Sequence, residues 1–179
     1  MNSEAGAEQN NKDFVEASTA WDNGDLRRAF QLFVRAAESG DSSSQLALGY
    51  FHDYGLYVKK DKKKAMQWYY QAYRQGDAGA ANNIATVHRD RGQTGKMIWW
   101  FRRAIAMGDH DALLNLGKNY ESGVGVVKSP MRALNCYRRL LASEYVTEFS
   151  WEQATKRLSK LLRNQRRVRH GRAISSHSH

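Results

Sequence analysis

Residues 112–137 read ALLNLGKNYESGVGVVKSPMRALNCY, and part of that stretch occurs twice in the chain. LGKNYESGVGV (116–126) aligns without a gap on LGYFHDYGLYV (48–58), placing Leu116 on Leu48, Gly117 on Gly49 and Gly123 on Gly55. A second register runs through AAESGD, AYRQGD and AIAMGD, which end at Asp41, Asp77 and Asp109. Each closes a helical stripe with glycine, the residue that leaves a helix most easily through a left-handed conformation. The stripes are Ala29, Leu32, Phe33, Ala36; then Ala65, Trp68, Tyr69, Ala72; then Trp100, Phe101, Ala104; and last Cys136, Tyr137, Leu140. Steps of three, one and three residues mark one face of a helix. Recurrence every 32 to 36 residues signals helix–loop–helix units, which bury their apolar faces only by stacking on neighbours.

Four such units are expected, over 12–41, 42–77, 78–109 and 110–143, followed by a C-terminal capping helix over 144–163. Residues 1–11 are expected to be disordered, and 164–179 to form a flexible basic tail. Ser150 with Gln153 fits a capping box at the start of the last helix, whose Ala154, Leu158, Leu161 and Leu162 share one face. The expected fold is all-α: a right-handed αα superhelix, a short solenoid of four helix-turn-helix repeats closed by that helix.

Composition agrees with a packed helical protein. Hydrophobic residues make up 41% and charged residues 26%, which are globular values. The longest apolar run is MIWWF at 97–101, far short of the ~18 residues that a membrane span needs. The first dozen residues are polar and lack a secretory pattern. A single cysteine, Cys136, leaves no internal disulfide and fits a reducing compartment, so a cytoplasmic location is expected. The net charge of +10 is uneven, with −4 in residues 1–41 and +5 in residues 144–179.

The repeat motif resembles the Sel-one-like repeat, a solenoid relative of the tetratricopeptide repeat. That pattern is Ala-x3-Leu-Gly-x2-Tyr-x2-Gly-x-Gly-Val, a capping Asp, Lys-Ala-x2-Trp-Tyr and a closing Ala-Ala-x2-Gly. Ala112, Leu116, Gly117, Tyr120, Gly123, Gly125 and Val126 match it in unit four. In unit two Leu48, Gly49, Gly55, Val58, Asp61, Lys64, Ala65, Trp68, Tyr69, Ala72 and Gly76 match. Unit three departs from it, with Met97 in place of a small residue and no G-x-G-V loop, and unit one is as close to a tetratricopeptide unit. The resemblance implies a non-enzymatic binding scaffold or adaptor: a regulatory adaptor, a secretion-associated factor, or a dedicated one-partner binder such as a bacterial immunity protein. It also implies that the first helix of each unit lines a concave groove taking a segment of another protein. By register, Leu46, Tyr50 and Asp53 then face the partner in unit two. Asn82, Thr86 and Arg89 do so in unit three, and Leu114, Lys118 and Glu121 in unit four.

Other chemistry is weakly signalled. There is no phosphate loop, no G-x-S-x-G and no carboxylate pair in matching positions, so no catalytic residue, cofactor or small-molecule substrate is expected. His52 and His88 occupy the pattern's tyrosine position without completing a metal ligand set, and read as packed rings. Cys136 falls on a packing stripe and reads as inert. Tyr70 and Trp99 lie off the stripe and are candidates for exposure. The alternative function is binding of nucleic acid or an acidic partner. It would use the lysine-rich loop at 59–64 and an electrostatic arm of Arg163, Arg166, Arg167, Arg169 and Arg172.

Overall fold

In the computed structural model, backbone is described for residues 2–175 and side chains for residues 12–167. Nine helices and no strand occur among the described residues. They are α1 (Asn2–Asp22), α2 (Leu26–Glu38), α3 (Ser42–Tyr54), α4 (Lys62–Arg74), α5 (Ala78–Asp90), α6 (Thr94–Ala106), α7 (Ala112–Ser122), α8 (Pro130–Leu141) and α9 (Glu148–Ser175). The chain divides into two compact units, residues 1–107 and 108–179.

In the first unit α1 packs on α2, α3 on α4 and α5 on α6, while α2 meets α3 and α4 meets α5 between pairs. The connections are fixed by capping side chains. Asp25, Asp41 and Asp77 each accept a hydrogen bond from the backbone N–H three residues on, at 3.0, 2.6 and 2.8 Å. Asp61 accepts from both Lys63 and Lys64, at 2.9 and 3.0 Å. These satisfy amides that a helix start leaves without partners. Ahead of two of these caps, Gly40 and Gly76 take φ of +97° and +92°, which side-chain-bearing residues adopt only with strain.

The seam of each pair rests on a small residue. A Cβ on Gly49 would lie 2.3 Å from two ring carbons of Tyr69, a fully buried side chain. Leu48, Phe51, Ala65, Ile84, Ala85, Phe101 and Ala104 complete this interior, all fully buried. Met97 is equally buried, so the third pair accommodates a long side chain where the second has Ala65.

In the second unit α7 packs on α8, and α9 packs chiefly on α8. Gly117 repeats the close approach, with a Cβ falling 2.4 Å from Tyr137 Cε1. Ser129 caps α8, accepting from the Arg132 N–H at 3.3 Å, and Pro130 sits at the first helical position.

Helical backbone starts at Asn2 in α1 and runs to Ser175 in α9. The last helix is capped not by Ser150 but by Thr147, whose Oγ1 accepts from the Ser150 N–H at 3.3 Å. Ser150 is instead buried.

Candidate functional site

A cavity in the first unit is lined mainly by α1 and α3. Phe14, Ser18 and Trp21 fall at steps of four and three along α1, so they share a face. Leu46, Ala47 and Tyr50, at steps of one and three, share a face of α3. With Asp22, Phe33, Ser43 and Asn83 they enclose a cavity of about 470 Å3. Its floor is aromatic. Trp21 meets Phe33 at 5.8 Å, Tyr50 at 5.6 Å and Phe51 at 4.6 Å between ring centroids, and Tyr50 stacks on Tyr54 at 4.2 Å. The polar groups stand around this surface. Asp22, exposed at the end of α1, has no hydrogen-bond or ion-pair partner among the described residues.

The groove residues expected from register divide into two sets. Leu46 and Tyr50 line the cavity. Thr86 is half-buried and donates to the Asn83 carbonyl at 2.8 Å, and Asn82 is half-buried beside it on α5. Arg89 is exposed, with Nε 3.4 Å from Asp90 Oδ1. None of these three lines the cavity. Asp53 is a correction: it is buried and accepts from Lys62 Nζ at 2.7 Å, so it is part of the interior. Leu114 is also buried rather than offered to a partner. Glu121 is held by the Tyr137 hydroxyl and by Arg157 Nη1, the latter at 3.0 Å, and Lys118 is half-buried. On α1 the cavity is lined by Phe14, Ser18, Trp21 and Asp22.

The lysine run resolves into separate roles. Lys62 Nζ bridges Asp53 at 2.7 Å and Asp90 at 2.6 Å, tying the start of α4 to the ends of α3 and α5. Its partial burial opposes the charge, but hydrogen bonds to Asp53 and Asp90 outweigh that and raise its pKa. Lys63 and Lys64 are exposed.

His52 and His88 are both buried. His88 Nδ1 meets Gln93 Oε1 at 2.6 Å, which closes the short turn after α5. Burial, and then the charge of Lys64, lower the pKa of His52. Burial pushes the Cys136 thiol up, against the opposing pull of Arg139. Trp99 is exposed, while Tyr70 is half-buried with its ring 5.7 Å from Trp100. Arg163, Arg166 and Arg167 are exposed on α9. The side chains of Arg169 and Arg172 lie outside the described residues. Among the described residues no helix is long and apolar enough to cross a membrane, and no cluster of three potential metal ligands occurs.

A family profile described as Sel1 repeat matches residues 23–41, 42–77, 98–109 and 110–142. Chitin synthase regulatory factor 1 of Schizosaccharomyces pombe is 33% identical over 112 residues, 58% of this chain and 24% of that protein. Chitin synthase regulator SKT5 of Saccharomyces cerevisiae is 35% identical over 68 residues, 38% of this chain and 10% of that one. The chain thus spans a quarter or less of the length of these curated relatives. Among solved structures, a protective antigen of uropathogenic Escherichia coli displaying an SLR fold superposes with a TM-score of 0.62. It is 29% identical, over 75% of this chain and 31% of that one. A Sel1 repeat protein from Oxalobacter formigenes gives 0.65 at 24% identity, over 80% and 60% of the two chains. The shared architecture is an all-α superhelical repeat fold.

Proposed function

Because the chain belongs to the Sel1 repeat family, whose repeats are protein-interaction scaffolds, we propose that it is a non-enzymatic adaptor holding a partner segment in the α1–α3–α5 cavity. The observation that carries this reading is the cavity itself. Some 470 Å3 walled by Phe14, Trp21, Phe33, Leu46, Ala47 and Tyr50 has room for a large apolar side chain together with its neighbours. Ser43, Asn83 and Asp22 stand at its edge for the flanking backbone and polar groups. Concave, mainly apolar sites with few polar groups are where binding energy concentrates. Two relatives are named as regulators of chitin synthase, which supports a regulatory adaptor. A cytoplasmic setting belongs to the same proposal, supported by the lone buried cysteine.

The test is selection of short displayed peptides on the immobilised chain. Binders should carry an aromatic or branched aliphatic anchor. They should lose at least tenfold in affinity with Leu46→Glu or Tyr50→Ala, at half-buried and exposed positions where the helix tolerates change. Binders indifferent to both substitutions, with the helical circular dichroism unchanged, would overturn the proposal.

A further inference from the structure

A second cavity, of about 640 Å3, lies along α4 and shares no lining residue with the first. Its walls are His52, Lys64, Gln67, Trp68, Tyr70, Gln71 and Arg74. No carboxylate lines it. The nearest acid in sequence, Asp61, has its Oδ1 committed to the N–H groups of Lys63 and Lys64. The side chains of Lys64, Gln67, Gln71 and Arg74 make no hydrogen bond or ion pair among the described residues. At the inner wall, His52 is 8% exposed and its Nδ1 is buried without a hydrogen-bond partner. An unpaired buried polar atom is costly. Two cations without an ion-pair partner and two free amides therefore converge on one space beside an indole, with the His52 ring at its inner wall.

We propose that this α4 cavity binds an extended acidic peptide segment carrying carboxylates at positions i and i+4. The spacing follows from the helix. Lys64 and Arg74 are ten residues apart, about 15 Å along the axis. An extended strand rises ~3.4 Å per residue and returns to the same side every second residue, so i and i+4 stand ~14 Å apart. Gln67 and Gln71 lie between the cations, one turn apart at ~6 Å. Each amide offers both donor and acceptor, in near register with the ~6.8 Å repeat of strand backbone groups facing one way. Trp68 and Tyr70 provide apolar contact for the intervening side chains. The proposal goes beyond the adaptor reading and does not depend on the first cavity.

The probes are fluorescein-labelled ten-residue peptides in a Thr/Gln/Ala background, measured by anisotropy in ~50 mM salt. One has Glu at positions 3 and 7, one has Glu at 3 and 5, and one has Gln at 3 and 7. A ten-nucleotide oligothymidine is the fourth probe. The 3/7 peptide should bind best, and at least tenfold more tightly than the Gln peptide. Lys64→Glu and Arg74→Glu should each weaken it about tenfold, since reversal turns attraction into repulsion. Both positions are exposed, so thermal melts should be unchanged. Leu46→Glu in the first cavity should leave this binding alone, which separates its outcome from that of the adaptor test. Equal binding of the 3/7 and 3/5 peptides, indifference to both charge reversals, or loss on Leu46→Glu overturns the proposal. Tighter binding of oligothymidine, lost with the same reversals, overturns it in favour of a phosphate site.

Discussion

The seam of the second pair seats a glycine against a tyrosine ring, and Gly49→Ala tests it. In an open helix interior this change stabilises by about 1 kcal/mol, because glycine loses more backbone entropy on folding. Here the added methyl would sit 2.3 Å from Cδ1 and from Cε1 of Tyr69. Carbon atoms pack at ~3.5–4.0 Å, so the ring must retreat by roughly 1.5 Å. It has little room to do so, since Tyr69 is fully buried and flanked by Ala65 and Leu48, also fully buried. Overpacking of this kind costs ~1–3 kcal/mol and sometimes more. The clash therefore outweighs the propensity gain, and a net loss of ~1 kcal/mol is expected. In urea, with an m-value of ~2 kcal/mol/M for a domain of this size, the midpoint followed by circular dichroism should fall by ~0.5 M. Gly95→Ala is the control, because a Cβ there meets nothing within 4 Å. Its midpoint should rise by up to ~0.5 M, because the propensity gain is unopposed there. A double variant with Tyr69→Leu should show coupling, losing less than the sum of its parts. A Gly49→Ala protein with a midpoint at or above the parent's would refute the packing account of the seam.

Other perturbations probe the polar framework. Lys62→Met should cost ~2–3 kcal/mol in urea titration, because Asp53 is left buried without its cation; pairing it with Asp53→Leu should recover most of the loss. The pH dependence has a definite sign on each side. The N–H groups of Lys64 and Lys63 hold the Asp61 carboxyl below its usual range. Burial pushes Asp90 up, but the hydrogen bond from Lys62 wins and leaves it low. Depressed carboxylates contribute stability above their unfolded pKa of about 4, so the melting temperature should drop as pH falls below ~4. Raised Lys62 contributes fully below its unfolded pKa of about 10.4, and that share should vanish as pH climbs beyond it. Cys136, buried and with its thiol pushed up, should react with a disulfide reagent only after urea unfolding; rapid modification of the folded chain would contradict its place in the stripe.

Periodicity made the helices legible because each stripe had a single interior to face. Gly49 and Tyr69 stood out in the pattern, and the structure brings them together. Thr147 was not legible as a cap, since Ser150 and Gln153 offer the same letters three residues later. What placed the start of α9 at Glu148 is a non-local bond: Asp111 Oδ1 accepts from the Thr147 N–H at 3.1 Å, 36 residues away. Site residues were harder for a related reason. Whether Asp53 faces a groove or the interior depends on Lys62, nine residues on, and on Asp90, which register alone does not bring together. The cavity wall on α1 was within reach, because Phe14 and Trp21 were the large apolar residues at helical spacing there.

The run of five lysines between 59 and 64 shows why net charge is a poor guide to a partner for this chain. A phosphate backbone is bound by cations free to replace its counterions. Lys62 is not free, since two carboxylates hold it at 2.6 and 2.7 Å. Trp68 and Tyr69, which follow the run, do not form a stacking platform: Tyr69 is fully buried and Trp68 packs against the core of α1, α2 and α3. Lys64 alone reaches a cavity, and there it stands with glutamine amides and one arginine ten residues on. Spaced single charges with amides between them match the repeat of an extended polypeptide more closely than a row of phosphates. The exposed arginines at 163, 166 and 167 are a separate matter, because they belong to the other unit and no aromatic ring contact with them occurs among the described residues. Truncation after Leu162 removes those arginines and leaves Lys64 and Arg74 in place. If oligothymidine binding exists at low salt, its loss on that truncation would assign it to the end of α9. Binding of the acidic peptide should survive the same cut, since both of its cations lie in the first unit.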